Sequence, residues 1–116
     1  MTTYMLMLNH APDRYDGLSE DDYMAIIKDY VGWVEAMTEK GIYKGGHKLD
    51  DGPGKTLTAA SGQIEVHESP FAELPEVLGG VMLFEAEDEA AAIAIAKAHP
   101  HFKHNTSLGL RAIQDV

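Results

Sequence analysis

Three of the chain's six histidines fall in the stretch AHPHFKHN, at His99, His101 and His104 around Pro100. Histidine is the side chain that exchanges protons near neutral pH and the commonest metal ligand, so such a cluster reads as an acid–base site, a metal site or a polar helix end. The metal reading is the weakest. A helical zinc pair needs i, i+4 spacing, and Pro100 prevents His99 and His101 from sharing a helix face. His10, His47, His101 and Glu73 suit zinc, iron or nickel chemically, but only tertiary convergence would bring them together. No metal and no cofactor is expected. With no cysteine in the chain, thiolate catalysis, disulfides and Cys-type zinc sites are excluded.

His101 is the first acid–base candidate, because Pro100 fixes the backbone that aims it. His47 follows Gly45-Gly46, where a bulge in a strand can turn a side chain into a cleft, and is the second. Glu73, with Glu76 nearby, supplies carboxylates that can help as acid or base. Arg111 is expected to hold a substrate carboxylate in a two-pronged contact, and His10 to face inward as a further binding residue. Each has a plainer reading as well: a loop histidine on a carbonyl, an outward strand residue, a capping turn, a surface ion pair. His99 is read as a charged histidine at a helix C-terminus. His104 reads as solvated and His67 as exposed, while Trp33 and Phe71 read as core. DGPGKT lacks the four-residue spacing between glycines of a phosphate loop, and no nucleophile elbow supports a Ser-His-Asp assembly.

These residues must be positioned by regular elements. Tyr4–Asn9 reads as a strand. A helix is expected from Ser19 as N-cap, with Glu20, Asp21 and Asp22 in its first turn, to Gly41 as C-terminal cap. Its apolar stripe is Tyr23, Ile26, Ile27, Tyr30, Val34 and Met37. Gly32 inside it costs about 1 kcal/mol against alanine, so close packing there is a possible reason for it. Ile42–Leu49 reads as a strand and Asp51–Gly54 as a turn. KTLTAA and IEVHES read as a hairpin around Ser61-Gly62. An irregular segment with two prolines precedes a strand at Val81–Glu87. Asp88–His99 is expected as a second helix stopped by Pro100, and Ser107–Val116 as a last strand.

The order β-α-β, hairpin insert, β-α-β fits a single α+β domain over residues 1–116: a ferredoxin-like sandwich with two helices on one face of an antiparallel sheet. Tyr4–Leu8 and Val81–Phe84 are apolar on both parities, although a half-exposed sheet should alternate. The expected cover for the second face is another copy of the chain, giving a homodimer through the sheet faces. The formal net charge of −10, from 19 acidic against 9 basic residues, disfavours nucleic acid and anionic lipid. No apolar run approaches the ~20 residues of a membrane span, and no leader precedes the first strand, so a cytoplasmic location is expected.

One stretch resembles a known family. In ESPFAELPEVLGG, the residues Pro70, Phe71, Ala72, Glu73, Glu76, Leu78, Gly79 and Gly80 match the pattern of the YCII-related family, also called the DGPF-domain family. Glu68 and Ser69 stand in place of its Asp-Gly pair, and Pro75 in place of a common Lys. Pro100 and His101 look like the Pro-His step of many members, and Arg111 matches the arginine of the last strand. Gly109 stands where that strand often carries Glu. The resemblance implies a dimeric α/β barrel with a cleft between helix and sheet. It implies much less about chemistry: a few relatives are lyases or dehydrochlorinases, and the wider fold includes isomerases and monooxygenases that need no bound metal or flavin. A first-helix His paired with an Asp before the Pro has been proposed for one subgroup. Ser19–Lys40 holds no His and the residue before Pro100 is His99, so that dyad does not carry over.

Two functions follow as expectations. One is a cofactor-independent lyase or isomerase using His101, helped by His47 or Glu73, on a small organic acid or aromatic-derived metabolite oriented by Arg111. The other is a non-enzymatic dimeric ligand-binding or accessory protein. If His47, His101 and Arg111 fail to face one pocket, the second reading takes precedence.

Overall fold

A computed structural model describes residues 1–70 and 73–115. Phe71 and Ala72 of the family motif, and Val116, lie outside them. Among the described residues, six strands and two α-helices follow in the order β1 (Thr2–His10), α1 (Glu20–Glu39), β2 (Tyr43–Lys48), β3 (Lys55–Ala60), β4 (Gln63–Glu68), β5 (Val77–Ala86), α2 (Glu89–Lys97) and β6 (Leu108–Ala112). A 3-10 turn, Pro100–Lys103, joins α2 to the last strand. The main sheet has the order β2-β5-β1-β6 with every pair antiparallel, and β3-β4 forms a separate hairpin. This is the α+β arrangement expected from the element order, a ferredoxin-like sheet carrying two helices.

Both helices begin on the side chains that cap them. Ser19 accepts a hydrogen bond from the Asp22 amide, and Asp88 from the Ala91 amide. Each such cap is worth about 1 kcal/mol. Gly41, just past α1, has φ +75°, the left-handed position that ends many helices. Gly32 behaves differently from expectation. A Cβ placed there would meet nothing within 4 Å, so no close packing requires a glycine.

Alternation along β1 sends Tyr4, Leu6 and Leu8 to the helices, where they are buried with Phe84 and Ala86 of β5. Trp33 and Met37 of α1 and Ala92 and Ala96 of α2 complete this core. Trp33 meets Phe84 edge-on at 6.1 Å, so it is a core residue as expected. The register places Met5, Met7, Val81 and Leu83 together on the other sheet face, where they are only half-buried. The sheet is therefore apolar on both faces.

Three boundaries shift. β5 begins at Val77, inside the segment read as irregular, so Leu78-Gly79-Gly80 belongs to the strand. α2 stops at Lys97 rather than His99, because Pro100 lacks the N–H to continue it and disfavours helical geometry before itself. The last strand ends at Ala112.

Candidate functional site

A cleft of about 1260 Å³ opens between α1, the loop after β1 and the β2–β5 edge of the sheet. Ile26, Ile27 and Val34 from α1 and Leu8 and Met82 from the sheet give it apolar walls. His10, Tyr15, Tyr30 and His101 also line it, Tyr23 meets Tyr15 edge-on at 6.2 Å, and Lys48 and the acids Asp13, Asp16, Glu35, Asp50 and Asp51 complete its polar lining. A large apolar pocket with a few convergent polar groups is the usual form of a small-molecule site.

His101 is almost completely buried, 1% exposed, and both its ring nitrogens are engaged. Nε2 lies 2.7 Å from the Asn9 carbonyl and Nδ1 lies 2.6 Å from the Tyr30 hydroxyl. A carbonyl only accepts, so Nε2 carries the proton and donates it to Asn9. Neutral Nδ1 is then an acceptor, and Tyr30 donates to it. Burial lowers the His101 pKa from its ordinary value, which favours this neutral form, although the Asn9 and Ser107 carbonyls oppose the shift. Burial also raises the Tyr30 phenol above its ordinary range, so Tyr30 keeps its proton. With that proton turned to His101, the Tyr30 oxygen faces its surroundings as an acceptor. Asn105 Nδ2 donates to the Tyr15 hydroxyl at 3.1 Å and reaches Tyr30 at 3.5 Å.

His10 has the opposite tautomer. Its Nδ1 is 2.7 Å from the Ala11 carbonyl, so Nδ1 donates and Nε2 holds the free lone pair. The ring lies against Tyr15 at 5.1 Å. Gly79 makes room for it, because a Cβ there would fall 2.5 Å from His10 Cδ2 and 2.7 Å from Nε2. The first of the paired glycines thus has a packing reason tied to the cleft.

The fold, the cleft and the Pro-His turn set the context for one comparison. The family model described as YCII-related domain matches residues 2–113. The chain belongs to the YCII-related family. No curated protein matches it.

In this YCII-related domain the other residues singled out above are dispersed. Arg111 is exposed and pairs with Met5 in the β1–β6 ladder, which puts it on the sheet face away from the helices and the cleft. Glu73 is exposed and does not border the cleft. Glu76 is held elsewhere, accepting from Thr106 Oγ1 at 3.0 Å and Ser107 Oγ at 2.6 Å; these bonds lower its pKa. β2 does bulge, but one step before the expected Gly45-Gly46, between Tyr43 and Gly45, with Gly45 at φ +124°. It leaves His47 exposed, bordering the cleft but paired with Val81 on the outer-face register. So His10 and His101 share one site, His47 stands at its margin, and Glu73 and Arg111 are elsewhere.

Two further histidines differ from expectation. His99 is 2% exposed, and burial lowers its pKa to about 4, so it is neutral rather than a charged partner of the helix dipole. Its Nδ1 accepts the His101 amide at 2.9 Å, capping the 3-10 turn, and its ring packs on Trp33 at 4.6 Å. His104 is not solvated: its Nε2 meets Asp29 Oδ2 at 2.8 Å. That hydrogen bond lowers the Asp29 pKa. His67 is exposed on the hairpin as expected, 3.0 Å from Thr58 Oγ1. Among the described residues, no group of three or more His, Cys, Asp or Glu side chains is placed to hold a metal ion. None of the described helices is long and apolar enough to cross a membrane.

Sequence reasoning missed Tyr15, Tyr30 and Asn105. The available signal was a phenol at Tyr30 on an apolar helix stripe, since a tyrosine hydroxyl near a core needs a partner.

Proposed function

We propose that this YCII-related protein binds a small organic acid with an apolar or aromatic body in the helix-side cleft, as a dimeric ligand-binding or accessory protein. The carrying observation is a large cleft with apolar walls in which His10, Tyr15, Tyr30 and His101 stand together, with Lys48 as the lysine on a rim that also carries Asp13, Asp16, Glu35, Asp50 and Asp51, while Arg111 and Glu73 lie away from it. The apolar walls suit the ligand's body, and the Lys48 ammonium is the cation available to a carboxylate. Lys48 also contacts Asp51 at 3.1 Å, an exposed and therefore weak pair that a ligand can displace. The second copy covers Met5, Met7, Val81 and Leu83 on the outer sheet face. Calorimetry against phenylpyruvate, benzoate, 4-hydroxyphenylacetate and 3-methyl-2-oxobutanoate tests the reading. Saturable binding that Ile27→Trp abolishes is expected; absence of binding by all four acids contradicts it.

A cofactor-independent lyase or isomerase is the second reading. It is favoured by one observation, the short Tyr30–His101 hydrogen bond at the cleft wall. In that reading His101→Ala abolishes turnover of a substrate found by screening, and unchanged turnover removes the role.

A further inference from the structure

Resting on the binding reading, we propose that the cleft is a two-base proton-transfer site for enolisable carbonyl acids. His10 Nε2 works at carbon, and Tyr30, backed by His101, works at oxygen.

Two imidazoles with opposite tautomers reach one cleft. His10 presents an Nε2 with no hydrogen-bond partner among the described residues, because Nδ1 is committed to the Ala11 carbonyl. His101 presents nothing directly; its Nδ1 is reached through the Tyr30 hydroxyl at 2.6 Å. Tyr15 links the two ends. Its ring packs on His10, and its hydroxyl shares Asn105 Nδ2 with Tyr30. Gly79 leaves the space the His10 ring occupies.

The relay lets a phenol that resists ionisation act as a base. In the enol-to-keto direction, the enol hydroxyl proton passes to Tyr30 Oη while the proton already on Tyr30 passes to His101 Nδ1. Tyr30 stays neutral throughout. The O–H electron pair becomes the carbonyl π bond, and the C=C pair takes a proton from His10 Nε2–H, His10 entering this direction as the imidazolium with Nδ1–H still on the Ala11 carbonyl and leaving as the neutral tautomer with its Nε2 lone pair restored. Substrate leaves neutral at the reacting atoms, and one positive charge has moved from His10 to His101. The His101 imidazolium, held by the Asn9 carbonyl in a buried setting, returns its proton to His10 through water in the cleft. No oxidant, metal or nucleophile takes part. Tyr30 and His10 are the catalytic residues, since each touches a reacting atom. His101 acts through Tyr30.

Phenylpyruvate serves as the probe. Its enol is followed by ultraviolet absorbance, deuterium entry at C3 in D₂O by NMR, and binding by calorimetry. Wild-type protein is expected to accelerate enol loss and deuterium entry over buffer. Tyr30→Phe and His10→Gln are each expected to lower kcat at least tenfold while changing the dissociation constant less than threefold. If wild type binds phenylpyruvate and the enol still decays at the buffer rate, the two-base proposal falls and the binding reading stands. If phenylpyruvate and the other three acids all fail to bind, both fall. Should Tyr30→Phe not fold, the wild-type deuterium measurement alone decides.

Discussion

Acid should destabilise this protein well before its carboxylates titrate, and His99 supplies a measurable share of the effect. In the folded chain its pKa is lowered to about 4 by burial and, secondarily, by His101, against 6.5 for the exposed side chain. Between those values the unfolded chain takes up a proton that the folded chain refuses. Stability from His99 is therefore fully present above pH 6.5 and is lost as pH falls toward 4. At about 1.4 kcal/mol for each pH unit, the loss is about 2 kcal/mol by pH 5 and about 3 kcal/mol by pH 4. His101 shifts in the same direction and steepens the slope. Asp29 and Glu76 also have lowered pKa values, so the stability they supply is lost only at lower pH, near and below the ordinary carboxylate range. Urea unfolding at pH 7, 6, 5.5 and 5 isolates the histidine window. The free energy should fall with a slope approaching one to two protons, and His99→Gln should remove about one of them. A stability flat from pH 7 to pH 5, or an unchanged slope in His99→Gln, would refute the reasoning.

Other outcomes follow from single contacts. Gly32→Ala should raise stability by about 0.5–1 kcal/mol in the same assay, because helix propensity improves and the added methyl meets nothing. Asp88→Ala should cost about 1 kcal/mol through the lost cap on α2. Gly79→Ala should displace the His10 ring and lower kcat for phenylpyruvate enol loss at least tenfold, with far-UV circular dichroism unchanged. Wild-type protein should sediment as a dimer at micromolar concentration and Val81→Asp as a monomer; a monomeric wild type would sink the sheet-face interface.

Periodicity carried the fold a long way. The stripe of α1, the acidic start of both helices and the order of strands and helices were all readable, because caps and apolar spacing are local properties. The double-sided apolarity of Tyr4–Leu8 and Val81–Phe84 was also visible before any register was known. The site was less legible. The direction of Arg111 depends on its pairing with Met5, a long-range register no local pattern encodes. His99 looked like a helix-end cation because its burial depends on Trp33, far away in the chain. His104 found Asp29 and His101 found Tyr30 across similar separations. The aim given to His101 by Pro100 was anticipated; that it points into Tyr30 rather than open space was not.

The cleft itself can be read most directly by chemical-shift mapping. Phenylpyruvate titrated into ¹⁵N,¹³C-labelled protein should move side-chain resonances of His10, Tyr15, Tyr30 and His101 together on one saturable curve. Resonances of Met5, Val81 and Arg111 should stay still. Movement confined to that outer sheet face, with the four cleft residues unmoved, would contradict the account.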